Sequence, residues 1–189
     1  AISNYEKAIK IYSKYPGNKR IALSLGSTYI NLGLLHNSNN DYETAVFYYL
    51  KAEEIYLQHD PKSSDLAILY SNLSITYGTI NKYPEALRFS QKGLDLARKG
   101  NDQVNLMNAL YAHGGNLVNA KMGDGGLALL DSAKQLGVQL NNLYYIYSSD
   151  FMKAMYYYNN RQFQKAIDHY ALCLDFAKKY NSTPDIGNN

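Results

Sequence analysis

A chain of 189 residues with 19 basic and 16 acidic side chains, net charge +3, is too evenly charged to point to nucleic acid as its partner. A single cysteine, Cys173, excludes an intramolecular disulfide framework and leaves the compartment open between cytoplasm and periplasm. No apolar run approaches the roughly 20 residues that a membrane-spanning helix requires, and no signal peptide is visible.

Helical spacing dominates, and period-2 alternation is sustained nowhere. The first helix is predicted at about residues 4–15. It carries Lys7, Lys10 and Lys14 and reads as a basic, solvated helix face. It also reads as the second helix of a hairpin whose first is missing, and the chain begins on Ala1; both suggest a piece excised from a longer protein. Four helix pairs follow, at about 19–37 with 41–58, 63–80 with 83–99, 102–121 with 125–138, and 142–159 with 162–180. In the first pair Tyr42, Ala45, Val46, Tyr49, Ala52 and Tyr56 form an i, i+3, i+4, i+7 stripe. Phe163, Ala166, Ile167, Tyr170, Leu174 and Ala177 do the same in the last.

Gly, Pro, Asn and Asp separate the helices because they tolerate turn conformations. They cluster at Pro16-Gly17-Asn18, Asn37 to Asn40, His59-Asp60-Pro61, Gly100-Asn101-Asp102, Gly123-Asp124, Gly137 to Asn142 and Asn181 to Pro184. Asp41 and Asp124 are expected N-caps, and Pro84 is expected in a first helical turn, where its missing N–H is not needed.

An aromatic residue followed three positions later by alanine recurs along the chain. The alanines are Ala8, Ala45, Ala86, Ala128 and Ala166, at intervals of 37, 41, 42 and 38 residues. The copy at Ala128 lacks its aromatic. Repetition at this period marks a solenoid. The expected organisation is one array: a half repeat over 1–18, repeats at about 19–60, 61–100, 101–140 and 141–181, and a tail at 182–189.

Tyr29, Leu32, Gly33, Tyr42, Ala45, Tyr49 and Ala52 fall at the offsets of the tetratricopeptide repeat. Tyr70, Leu73, Ser74, Tyr77, Tyr83 and Ala86 follow the same pattern. The chain therefore resembles the tetratricopeptide repeat family. Its period, longer than 34 residues, resembles the long-repeat variety of kinesin light chains and bacterial regulators. The resemblance implies an all-α, right-handed superhelix of about nine helices, in which a small residue of each first helix packs on the alanine of the second. Two departures stand out: Gly115 and Asn116 take the place of Leu-Gly, and Lys153 replaces a leucine.

Little in the chain suggests chemistry. Gly123-Asp124-Gly125-Gly126 lacks the lysine and the strand context of a phosphate loop and reads as a hairpin turn. His36, His59, His113 and His169 have no companions at metal-ligand spacing. Cys173, between Leu172 and Leu174, reads as a buried apolar residue. No nucleophile–base constellation can be assembled, so neither a cofactor, a metal nor an enzyme is expected.

Tyrosine is the unusual component, with 20 residues and no tryptophan. The consecutive Tyr156, Tyr157 and Tyr158 span about 300° of a helix, so at least one must leave the core. The family resemblance places a ligand groove on the first helix of each pair. It maps that groove to Asn31, Leu34, Asn72, Ile75, His113, Lys121, Phe151, Met155 and Tyr158. Asn31 and Asn72 stand where similar proteins use asparagine, whose amide can bond a peptide backbone as both donor and acceptor. With Lys121 as the one groove cation, capture of a C-terminal carboxylate is disfavoured. The expected function is non-enzymatic binding of a protein segment or peptide, within a larger bacterial signalling or transcription-regulatory protein. Alternatives are a Rap-type receptor for a free peptide and a carbohydrate-capturing surface lipoprotein.

Overall fold

Short polar side chains start most of the helices. Asn18, Asp41, Ser63, Asp102 and Asn142 each accept a hydrogen bond from a backbone N–H two or three residues on, satisfying donors that a helix start leaves free. Pro84 enters the first turn of its helix without a side-chain cap. In the computed structural model the described residues are 2–15 and 17–180. They form α1 (Ile2–Tyr12), α2 (Lys19–Ser38), α3 (Tyr42–His59), α4 (Ser64–Thr79), α5 (Tyr83–Lys99), α6 (Gln103–Asn119), α7 (Gly123–Gln139), α8 (Leu143–Asn159) and α9 (Phe163–Tyr180). No strand occurs among them. The expected turn at 181–184 and tail at 182–189 lie outside the described residues, as do Ala1 and Pro16.

The chain divides into two compact units, Ala1–Asn101 and Asp102–Asn189. In the first, α1 packs on α2, and the hairpins α2–α3 and α4–α5 stack. Ile30, Ala45, Tyr49, Ala52, Tyr56, Leu66, Leu69, Tyr70, Leu73 and Phe89 form its core. In the second, α6–α7 stacks on α8–α9.

Five turns close in one way. Asn40, Asn81, Lys121, Asn141 and Arg161 adopt φ between 52° and 60°. The N–H of the residue after each donates to the carbonyl five positions back: Asp41 to His36, Lys82 to Tyr77, Met122 to Leu117, Asn142 to Gly137 and Gln162 to Tyr157. This is the left-handed helix stop. Asparagine tolerates the conformation better than other side chains. In two hairpins its amide also accepts from the aromatic that opens the next helix, Tyr42 to Asn40 and Tyr83 to Asn81, both at 2.7 Å. Where that hydroxyl is missing, before Gly123 and Phe163, the turn residue is Lys121 or Arg161.

The repeat register needs one correction. Ala45, Ala86 and Ala166 are the fourth residues of α3, α5 and α9, and all are buried. Ala128 is the sixth residue of α7 and is exposed. The equivalent residue is Gly126, which restores intervals of 41, 40 and 40 residues (45 to 86, 86 to 126, 126 to 166). Its backbone lies against α6 so closely that a Cβ there would stand 2.7 Å from the Gly114 carbonyl oxygen. Asp124 is accordingly not a cap: it lies in the first turn of α7, behind Met122, which makes no side-chain cap bond. In α2–α3 the small Gly33 receives the ring of Tyr49, not the methyl of Ala45. The aromatic absent from the start of α7 is supplied from elsewhere. The Tyr156 ring of α8 fills the space beside Gly123, where a Cβ would lie 2.2 Å from it.

Two outcomes test this account by urea unfolding. Gly126→Ala should cost about 1–3 kcal/mol through the clash with Gly114, whereas Ala128→Leu, on the exposed face, should change stability by about 0.5 kcal/mol or less. Lys121→Gly and Arg161→Gly should each raise stability by about 0.5–1 kcal/mol, by relieving the left-handed backbone.

Candidate functional site

In the first unit, α2 and α4 are the first helices of neighbouring hairpins and meet directly, with the Thr76 hydroxyl donating to the Asn37 amide oxygen at 2.9 Å. Asn31 and Asn72 hold the same place on them, and each is followed three residues later by an exposed aliphatic, Leu34 at 43 % and Ile75 at 42 %. Helical periodicity puts such a pair on one face. The four residues therefore form a repeated amide–aliphatic face along α2 and α4. Among the described residues no hydrogen bond engages either carboxamide.

The face carries no charge. Beyond the first turns, with Lys19, Arg20 and Asp65, neither α2 nor α4 contains Asp, Glu, Lys or Arg. Glu43, Lys51, Glu53 and Glu54 lie on α3, and Glu85, Arg88, Lys92, Asp95, Arg98 and Lys99 on α5. Behind the face a hydrogen-bond relay locks the helices: Ser27 and Tyr56 pair at 2.9 Å, and the Tyr56 hydroxyl donates to Asp65 at 2.8 Å. Burial pushes the Tyr56 phenol up to about 12, so it remains a donor at neutral pH.

The second unit redistributes the residues expected there. With Gly126 at the seam, Gly114 occupies the place of Gly33 and Ser74. His113 then takes that of Leu32 and Leu73. It is 8 % exposed and does not lie on an open face, as the sequence register had it. The Leu-Gly position is thus His113-Gly114, not Gly115-Asn116. Lys121 is not on α6: it sits in the turn beyond, exposed, with φ of 60°. Phe151, Met155 and Tyr158 are exposed along one stripe of α8, Tyr158 most of all at 58 %. The stripe runs onto α9, where Phe151 meets Tyr170 edge-on at 6.1 Å and Tyr158 meets Phe163 at 6.0 Å. Of the tyrosine triple, Tyr156 and Tyr157 are half-buried and Tyr158 is exposed.

A polar cluster in this unit joins residues 16 to 22 positions apart, beyond the reach of local pattern. Buried Asp150 on α8 takes Lys134 of α7 at 2.5 Å and His169 of α9 at 3.1 Å. Lys153, at a leucine position, is buried and pairs with Asp131 at 2.6 Å. Tyr157 stacks on the His169 ring. The one sequence signal was Lys153 itself, a charge on a core position. Buried charges need such partners. The cluster ties three helices together, and among the described residues no group of three or more His, Cys, Asp or Glu side chains is arranged to hold a metal ion. Cys173 is buried as expected, its thiol facing the Tyr147 carbonyl at 3.9 Å.

Residues 24–99 match the tetratricopeptide repeat family. No curated protein matches the chain in sequence. Among solved structures, the fold is similar to aspartyl phosphate phosphatase F from Bacillus subtilis, with a TM-score of 0.73 and 14 % identity over 96 % of this chain and 50 % of that one. BtubC from P. vanneervenii gives a TM-score of 0.75 and 14 % identity over 98 % and 78 %. YrrB, described as a TPR protein with an unusual peptide-binding site, gives 0.62 and 18 % over 95 % and 81 %. At these identities the likeness establishes the fold, a helical-repeat solenoid; the chain spans half the length of the phosphatase.

The Cys173 environment has a chemical consequence. Burial raises its thiol to about 11, leaving on the order of 0.1 % thiolate at pH 8. Dithionitrobenzoate should therefore react at least about 100-fold more slowly with the folded protein than with the urea-unfolded chain.

Proposed function

With residues 24–99 matching the tetratricopeptide repeat family, we propose that the chain is a non-enzymatic binding module that holds a protein segment or peptide on the first helices of its hairpins. The observation that carries this reading is the α2–α4 face. Two carboxamides at equivalent positions, Asn31 and Asn72, have no partner bond among the described residues and stand beside two exposed aliphatic side chains. An amide offers a donor and an acceptor to a peptide unit, and exposed Leu34 and Ile75 offer apolar contact. The unusual peptide-binding site of YrrB, a TPR protein of similar fold, agrees with this reading. On the same reading Phe151, Met155 and Tyr158 form a second contact surface on α8, suited to an adaptable partner by its methionine and aromatics. His113 and Lys121 have no part in it.

We place the module within a larger bacterial signalling or transcription-regulatory protein, where it serves as the sensory or scaffolding part. A receptor for a short free peptide is the narrower form of this proposal; the structural likeness to RapI, at a TM-score of 0.69 and 16 % identity, is in keeping with it.

Asn31→Ala and Asn72→Ala should each weaken binding of a groove peptide by about 5- to 30-fold, the cost of about 1–2 kcal/mol for one lost hydrogen-bonding group. Circular dichroism and melting temperature should stay unchanged, because both side chains lie outside the core. Calorimetric titration that gives equal affinity for the wild type and both variants would remove the groove from the proposal.

A further inference from the structure

The repeated face on α2 and α4 also restricts the conformation of what can lie on it. Packed helices have axes about 8–10 Å apart, and α2 and α4 are in contact through Asn37 and Thr76. A ligand crossing from one helix to the next meets Asn31 and Leu34, then Asn72 and Ile75, once per helix spacing. The ligand must repeat its own contacts at that distance. A polyproline II segment rises about 3.1 Å per residue with three residues per turn, so equivalent groups recur every ~9.3 Å. In a β-strand, side chains on one face recur at about 6.8 Å, which falls out of step with the two helices. An α-helical ligand recurs at about 10.5 Å over seven residues, but its backbone groups are bonded internally and leave nothing for two carboxamides. Polyproline II has no internal hydrogen bonds and keeps every backbone group free.

Charge restricts the ligand further. No Asp, Glu, Lys or Arg lies on α2 after Arg20 or on α4 after Asp65, so an ionic side chain seated on this face would lose water without gaining a counter-charge. We propose that the α2–α4 face takes an uncharged peptide segment in polyproline II conformation, with aliphatic side chains three residues apart seated against Leu34 and Ile75. This rests on the reading of the face as the binding groove.

The test uses blocked synthetic peptides of about eight residues, built of proline and glutamine with two leucines placed two, three or four positions apart. The three-residue spacing should bind at least about tenfold more tightly than either isomer. Its affinity should change by less than about twofold between roughly 50 mM and 500 mM salt. Leu34→Ala and Ile75→Ala should each erase most of that preference; both residues are surface-exposed, so folding is retained. Equal binding of the three isomers, or no binding by any, would overturn the proposal. A random peptide library displayed on phage separates this failure from that of the groove itself. Selected peptides that need Asn31 and Asn72 but carry charges, or another spacing, would leave the groove standing and reject its polyproline II ligand. A selection that yields no peptide dependent on Asn31 and Asn72 would reject both.

Discussion

Four residues into the second helix of each hairpin, the chain has room for a methyl group or less. Ala45, Ala86, Gly126 and Ala166 stand there, and most of the remaining architecture follows from the close approach they allow. With the two backbones near each other, a turn of three residues suffices to reverse the chain, and it must end the first helix abruptly; the left-handed residue does so. The short turn fixes the register of one helix against the other. That register in turn decides which positions of α2, α4, α6 and α8 face the seam and which face outward. Leu32, Leu73 and His113 turn in. Asn31, Leu34, Asn72 and Ile75 of the first unit turn out.

The helix pattern is legible in the amino-acid sequence because its signals are local. Capping asparagines and aspartates, apolar stripes and turn residues place the ends of most helices to within about two residues. The exceptions share one cause. The aromatic-and-alanine pattern cannot detect a repeat in which both residues have become glycine, as at Gly123 and Gly126. The nearest alanine, Ala128, then takes over the count and carries His113 and Lys121 onto the wrong face with it. Evenness of spacing was the available signal: 41, 40 and 40 residues with Gly126 against the uneven series through Ala128. The Asp150 cluster was beyond any such pattern, since its partners come from three helices. The outward face of α2 and α4 was readable because the first two hairpins keep the regular motif.

Charge placement separates the two roles of the helices. In the first unit the second helices, α3 and α5, carry the solubilising charges, including the Lys92–Glu53 pair at 3.1 Å that links them. The first helices are left to present amides and aliphatics. In the second unit the two charges of α8, Asp150 and Lys153, are both buried and paired, so they add nothing ionic to its outer face. Such buried pairs contribute little net stability against apolar residues of similar size. Their geometry does select one arrangement, since Asp150 is fully matched only when Lys134 and His169 both reach it.

Tyr156 in the space beside Gly123 has a consequence for modularity. In a repeat array each unit packs only on its neighbours, so units are interchangeable when they present the same surfaces. The hairpins of the first unit meet that condition, each bringing its own aromatic at Tyr42 or Tyr83. The α6–α7 hairpin does not, because its glycine is complemented by a ring from the hairpin that follows. Removing α8–α9 would leave a hole beside Gly123, and inserting a standard hairpin before it would leave Tyr156 facing an occupied position. These two hairpins therefore complete one another's packing and hold together as one structural unit.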